Sequence, residues 1–203
     1  MFACCSTRKA PTEEACSHTE SPKGKVKIQE SDYTFKLSDQ TLIKSPNSLP
    51  SGYPIFIVES KNSTFFILDA SVQATLESLD NCKVIIGPTE SSLFIRDCNN
   101  CLVIAYCQQF RARDCTNLKV CLYCSTEPII ETCRDIKFSP NTFTYDALDS
   151  QLRITGLHDK LNKWSSIYDF NDSHPKNYSI SNDSCVLDTS LISNFNSSFQ
   201  SES

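Results

Sequence analysis

The sequence predicts an all-β protein: a parallel β-helix with a short C-terminal covering segment, helical or irregular. Three observations predict it. First, a motif recurs between Ile55 and Phe138, anchored at Ser60, Leu79, Cys98, Cys115 and Cys133, with steps of 19, 19, 17 and 18 residues. Second, a unit of that length is too short for a helix pair and is dominated by β-branched and aromatic residues, so each repeat forms one coil of short strands stacked on the next. Third, an Asn or Asp stands two positions after each anchor, at Asn62, Asn81, Asn100, Asn117 and Asp135. Those side chains tolerate left-handed backbone angles and hydrogen-bond locally, as a tight corner needs. The chain has only four glycines, so Asn does the turning.

Each element follows from these columns. Ile57, Leu76, Ile95, Ala112 and Ile130 precede the anchors by three; Ser63, Cys82, Cys101, Leu118 and Ile136 follow by three; Phe65, Val84, Val103, Val120 and Phe138 follow by five. Equivalent positions of stacked coils lie about 4.8 Å apart, so these columns fill a narrow core. Ser60 and Leu79 stand where later coils carry Cys, which reads as a packing change. Before the repeats, Asp32-Tyr33-Thr34-Phe35 is a lead-in strand and Ser45 to Pro54 a Pro-containing loop. After them, Asn141 to Gly156 is less periodic. Leu157, Leu161, Trp164, Ile167 and Tyr168 then take helix-like spacing up to Phe170, suited to shielding a solenoid flank. The expected division is a disordered tail over 1–24, one domain over 25–182, and a polar, disordered tail over 183–203.

Composition narrows the function. A net charge of −5 and a pI near 5.2 give no basic footprint for nucleic acid. No apolar run approaches the roughly 18–20 residues of a membrane-spanning helix, and no long apolar h-region marks a secretory signal. The 12 cysteines are therefore expected in a reducing cytosol, where buried Cys acts as a small hydrophobe. Cys4 and Cys5 differ: they adjoin Phe2, Arg8 and Lys9, a setting for acylation and membrane association. Phe2 excludes N-myristoylation.

Candidate chemistry is sparse outside one turn. Cys98-x2-Cys101 and Cys121-x2-Cys124 have a zinc-ribbon spacing. The repeat explains them more simply, because Cys98 stacks with Cys115 and Cys133, Cys101 with Cys82, Cys121 with Ile104 and Cys107 with Cys124; no metal or other cofactor is expected. His18, His158 and His174 all lie outside the repeat and supply no base for a core cysteine. No phosphate-binding Gly-rich loop is present. What the repeat leaves unexplained is Cys107-Gln108-Gln109-Phe110-Arg111-Ala112-Arg113-Asp114-Cys115. Column arithmetic places Gln108 and Gln109 over Ser91 and Ser92, Arg96 beneath Arg113, and Glu131 over Arg113; Arg111 shares the face of Arg113. That surface is either a binding site or a solvated face of ordinary ion pairs.

This turn, followed by Thr126-Glu127-Pro128-Ile129-Ile130-Glu131, resembles the domain family shared by tubulin-folding cofactor C and the X-linked retinitis pigmentosa 2 protein, with the closer likeness to the latter. Asp32-Tyr33-Thr34-Phe35 and Trp164-Ser165-Ser166-Ile167-Tyr168-Asp169-Phe170 resemble stretches at the two ends of that domain. The resemblance implies a right-handed β-helix and a GTPase activator, not itself an enzyme, that acts on a GTP-bound Arf-like small GTPase or on tubulin. It implies Arg111 as an arginine finger held by Glu131, with Gln109 and Phe170 meeting the GTPase and Gln108, Phe110 and Arg113 beside the finger. The alternative is a scaffold that binds a GTPase or tubulin without accelerating hydrolysis. A cytoplasmic location is implied, on the inner face of the plasma membrane and at the ciliary base. Two departures stand out: Phe2-Ala3-Cys4-Cys5 replaces a Gly-Cys acylation signal, and the expected chain lacks the C-terminal domain similar to nucleoside diphosphate kinase.

Overall fold

The computed structural model describes residues 29–50, 52–171 and 174–183. Cys4, Cys5, the tail expected over 1–24 and all of the C-terminal tail beyond Asp183 lie outside the described residues. Thirteen strands run through the rest: β1 Thr34–Phe35, β2 Thr41–Lys44, β3 Ile55–Val58, β4 Thr64–Ile67, β5 Ala74–Glu77, β6 Lys83–Ile86, β7 Thr89–Arg96, β8 Leu102–Arg113, β9 Thr116–Cys124, β10 Ile129–Glu131, β11 Arg134–Pro140, β12 Tyr168–Asp169 and β13 Tyr178–Ile180. All pair in parallel. One ladder runs β1-β3-β5-β7-β8-β10-β12 and the other β2-β4-β6-β8-β9-β11-β13. The long strand β8 serves both: Leu102 to Ile104 pair with β6, and Gln109 to Arg113 pair with β7. This is the parallel β-helix that the repeat predicts.

The corners explain the repeat. Asn62, Asn81, Asn100, Asn117 and Asp135 have φ of 49°, 53°, 55°, 53° and 56°. Their side chains also stack: Asn81 Nδ2 donates to Asn62 Oδ1 at 2.9 Å, Asn100 to Asn81 at 3.1 Å, and Asn117 to Asn100 at 2.9 Å. A second left-handed column, Glu59, Ser78, Asp97, Asp114 and Thr132, carries no uniform residue type and is illegible in the sequence. The cysteines do more than fill space. The thiols of Cys98, Cys115 and Cys133 donate to the carbonyls of Arg96, Arg113 and Glu131 at 3.1, 3.1 and 3.3 Å, two residues back across the corner. Ser60 makes the same bond to Val58 O at 2.8 Å, so its replacement of Cys conserves the interaction; only Leu79 is a packing change.

The inward columns form one continuous core of Ile57, Leu76, Ile95, Phe65, Val84, Val103 and their equivalents. Two further features escaped the repeat alignment. A coil precedes it, with Thr34 paired to Phe56 and Thr41 to Thr64, and Asp39 heads the Asn ladder by accepting from Asn62 Nδ2. Its longer step hides it. At the other end, β12 and β13 add parallel strands to β10 and β11, where a covering segment and a polar stretch are expected.

A helix lies upstream of the stretch expected to be helical or irregular. Helix α1 spans Leu148–Ile154, within the less periodic stretch, and Gly156 at φ 67° follows its end. It buries Leu148 and Gln151, whose Nε2 donates to Leu68 O at 2.8 Å, and an Asp149–Arg153 ion pair at 3.1 Å bridges one turn. Leu157 to Phe170 is irregular apart from β12: beyond local bonds such as Lys160 N to Leu157 O at 3.1 Å and Ser166 N to Lys163 O at 2.9 Å, its backbone donors reach the coils. Lys163 N donates to Cys124 O at 2.7 Å, Tyr168 N to Pro128 O at 2.8 Å and Phe170 N to Ile130 O at 2.9 Å. The helix-like spacing is a coincidence of side chains facing different ways: Leu157 is buried, whereas Leu161 is 81% exposed.

Candidate functional site

The Gln-Gln-Phe-Arg turn is the second half of β8, and its alternation decides which side chains face out. Gln108, Arg111 and Arg113 are exposed, Gln109 is half-buried, and Phe110 and Ala112 are buried. Phe110 is therefore not a partner-facing residue. Its ring is 0% exposed and meets Phe138 edge-on, centroids 5.7 Å apart at 78°. The pleat of β8 turns it inward, where it anchors the strand.

Several groups hold this half-strand in place. Thr89 pairs with Cys107 but Ser92 pairs with Gln109, so a bulge at Glu90 and Ser91 faces Gln108. Bulges re-aim side chains beside functional sites. The Gln108 carbonyl accepts from Thr126 N at 3.0 Å, Thr126 Oγ1 at 3.0 Å, Ser125 Oγ at 3.2 Å and Cys124 Sγ at 3.4 Å. Cys107 lies beneath, and burial pushes its thiol pKa well up. Ser92 Oγ donates to Gln109 Oε1 at 3.2 Å. Ser91 is exposed as expected, but Ser92 is buried under its neighbours and supports the surface rather than presenting itself to a partner.

Register sorts the arginines into two outward columns. Glu77, Arg96, Arg113 and Glu131 stand in one. Within it Arg96 pairs with Glu77 at 3.1 Å, and Arg113 Nε bonds to its neighbour Asp114 at 3.1 Å. Arg111 stands in the other, with Phe56, Thr75, Phe94, Ile129 and Tyr168. That column contains no acid. Among the described residues the Arg111 guanidinium has no ion-pair or hydrogen-bond partner.

Glu131 stands opposite Arg113, diagonal to Arg111, as the column arithmetic places it. Its carboxylate forms no ion pair within 4.0 Å to either arginine. The pairing that the resemblance implies would therefore have to form along this diagonal, the kind of separation that long side chains can reach. Phe170, 64% exposed, continues the register of β12 past Asp169 and lies beside Glu131; Tyr168, 53% exposed, stacks edge-on against it at 6.2 Å. Sequence reasoning missed Tyr168, Phe94 and Ile129 as surface around Arg111. The available signal was the β12 strand, hidden by the helix-like spacing.

The zinc spacing does not assemble. Cys121 packs with Phe66, Ile85 and Ile104 on one side of β9, whereas Cys124 belongs to the main core on the other. Cys98 and Cys101 each spend their thiol on a corner carbonyl. Among the described residues no three His, Cys, Asp or Glu gather as metal ligands, and no helix is long and apolar enough to cross a membrane.

Comparison with known proteins gives several matches. The family model described as tubulin binding cofactor C matches residues 52–170. Protein XRP2 of Mus musculus is 35% identical over 175 residues, 83% of this chain and 50% of that protein. Tubulin-specific chaperone C of Homo sapiens is 29% identical over 135 residues, 66% of this chain and 39% of the relative. The chain thus spans half or less of the length of these two relatives. A solved structure, Tubulin Binding Cofactor C from Leishmania major, aligns with a TM-score of 0.49 and 20% identity, covering 68% of this chain and 89% of that one.

Proposed function

Since this chain belongs to the tubulin binding cofactor C family, we propose that it activates GTP hydrolysis in a protein partner, an Arf-like small GTPase, by lending that partner Arg111. The observation that carries this reading is the Arg111 guanidinium, unpaired among the described residues and exposed on a strand fixed from both sides by β7 and β10. A structural surface arginine gains by pairing with an acid, as Arg96 does. Arg111 instead sits among Phe94, Ile129 and Tyr168, a surroundings that a docked partner would strip of water.

The chemistry follows from phosphoryl transfer. Charge develops on the transferred group and on the leaving oxygen, and a guanidinium entering the site stabilises it in a water-excluded setting. Such arginines contribute about 10³–10⁵ in rate. Docking also desolvates Arg111, which draws the diagonal Glu131 carboxylate into the role of a brace. Gln109 and Phe170 extend the contact surface, and Gln108 and Arg113 flank it. The partner holds the nucleotide, so this chain needs no nucleotide-binding loop of its own. Acylation of Cys4 and Cys5 would place the activator at the cytoplasmic face of the plasma membrane and the ciliary base.

The test is single-turnover GTP hydrolysis by a panel of Arf-like GTPases and by tubulin, with wild type, Arg111→Ala and Arg111→Lys. The expected result is strong stimulation of one partner and loss of about 10³–10⁵ in rate in both variants, since an ammonium lacks the planar fork. Normal stimulation by Arg111→Ala overturns the assignment. Tubulin belongs in the panel because a relative with 29% identity is named a tubulin-specific chaperone. Binding to a GTP-loaded partner with an unchanged hydrolysis rate would make the protein a scaffold.

A further inference from the structure

We propose that Ser92 is a positioning residue for Gln109, fixing its amide so that the NH2 group faces the partner beside Arg111. The inference rests on the GTPase-activator reading and adds a donor, and a reason for its orientation, to that site. Ser92 Oγ donates to Gln109 Oε1 at 3.2 Å. A Gln side chain has a carbonyl end and an amide end of almost equal shape, and free in solvent it presents either. Once the carbonyl oxygen is held inward by a hydroxyl, only the NH2 end remains to meet a partner.

Ser92 is suited to this because it is itself fixed. It is 7% exposed and sits in register with Gln109, so its side chain shares the outer face of the sheet. The bulge supplies the second half of the device. Consecutive residues of a regular strand face opposite ways, yet the Ser91 and Ser92 hydroxyls lie 3.5 Å apart next to the register shift. With its single proton committed to Gln109, the Ser92 oxygen accepts from Ser91. The chain Ser91 to Ser92 to Gln109 then orients the amide outward.

The result is a pair of donors on one strand face. Gln109 and Arg111 are two residues apart, about 6.6 Å at strand rise. One supplies a neutral N–H and the other a charged fork. Such a pair takes an acceptor-rich target, a phosphoryl oxygen for the guanidinium and a neighbouring acceptor oxygen for the amide. It disfavours a partner that offers a donor at the Gln109 position, because the inward bond resists the amide flip that such a partner requires.

A double-mutant cycle tests the inference on the GTPase found in the panel above, using the full chain. Ser92→Ala is expected to lower stimulated kcat/KM about 5-fold, the loss of one oriented hydrogen bond. Gln109→Ala is expected to lower it further, the double variant should match Gln109→Ala alone, and Ser92→Thr should restore activity by returning the hydroxyl. Thermal melts confirm that each variant folds. Additive losses in the double variant, or a Ser92→Thr protein as defective as Ser92→Ala, overturn the proposal while the Arg111 result stands. If wild type stimulates no partner, the activator reading falls and this inference falls with it.

Discussion

Replacing Phe110 separates core from contact surface, and the two placements predict opposite outcomes. The ring is 0% exposed and packs edge-on against Phe138 at 5.7 Å. Truncation to Ala removes a buried aromatic ring and leaves a cavity, which costs about 3–5 kcal/mol. Against a typical domain stability of about 5–15 kcal/mol, that is a third or more of the total for a mid-range domain. Phe110→Leu keeps most of the apolar volume and loses mainly the aromatic pair, about 1–1.5 kcal/mol. The assay is urea unfolding followed by the fluorescence of Trp164, the single tryptophan, which packs against the main core. GTPase stimulation is measured in parallel, well below the unfolding midpoint. The Leu variant should unfold at lower urea and, on the activator reading, stimulate nearly as well as wild type, because β8 still presents Arg111 and Gln109. An unchanged urea midpoint with abolished stimulation would refute the reasoning and put the ring at the partner.

Two more predictions concern the scaffold. Asn81 combines φ 53° with ladder bonds to Asn62 and Asn100, so Asn81→Ala should cost about 2–3 kcal/mol in urea unfolding, roughly 1 kcal/mol more than Asn81→Gly, which relieves the left-handed strain; equal costs would show that the strain is absent. Asp69 is buried, and burial raises its pKa although Ser48 donates to its carboxylate at 3.0 Å. A raised acid binds its proton more readily in the folded state, so this contribution to stability is greatest at low pH. It declines as pH rises from the ordinary carboxylate range through the raised folded value. Stability of wild type minus that of Asp69→Asn, from melts across that range, should therefore fall with pH; a flat or rising difference would deny that burial dominates at Asp69.

Much of the fold was legible because a solenoid writes its geometry into periodic columns. The Asn corners, the aliphatic core and the pairing of Arg96, Arg113 and Glu131 all follow from counting. Legibility failed where the period changed or the column carried no residue type. The coil before Ile55 was hidden by a step of 22 or 23 residues, seen in Thr34 pairing with Phe56 and Thr41 with Thr64. The second left-handed column uses Glu, Ser, Asp and Thr, so only the backbone reveals it. Leu157 to Phe170 misled because side-chain spacing says nothing about where backbone N–H groups go, and here those of Lys163, Tyr168 and Phe170 go to the coil edges. Within the site, the resemblance placed Phe110 at the partner and counting placed Ser92 on the surface. The pleat puts the first in the core, and the neighbours of the second leave it 7% exposed.

The two arginine columns show how such a scaffold could single out one cation for use. In stacked coils every side chain has a fixed neighbour above and below, so charge compensation is decided column by column. Glu77 neutralises Arg96, and Asp114 beside the corner neutralises Arg113. Arg111 has Phe94 on one side and Ile129 on the other. An acid placed at either position would quench it through an exposed pair worth only about 0–1 kcal/mol. The half-buried apolar neighbours also lower the local dielectric once a partner covers them and so strengthen the pull of Arg111 on an anion. On the activator reading, replacing the half-buried Ile129 with Glu should lower urea stability by about 1–2 kcal/mol with the fold retained, and suppress GTPase stimulation by pairing Arg111. Full stimulation by Ile129→Glu, with the fold intact, would mean that an uncompensated charge at this position is not what the partner uses.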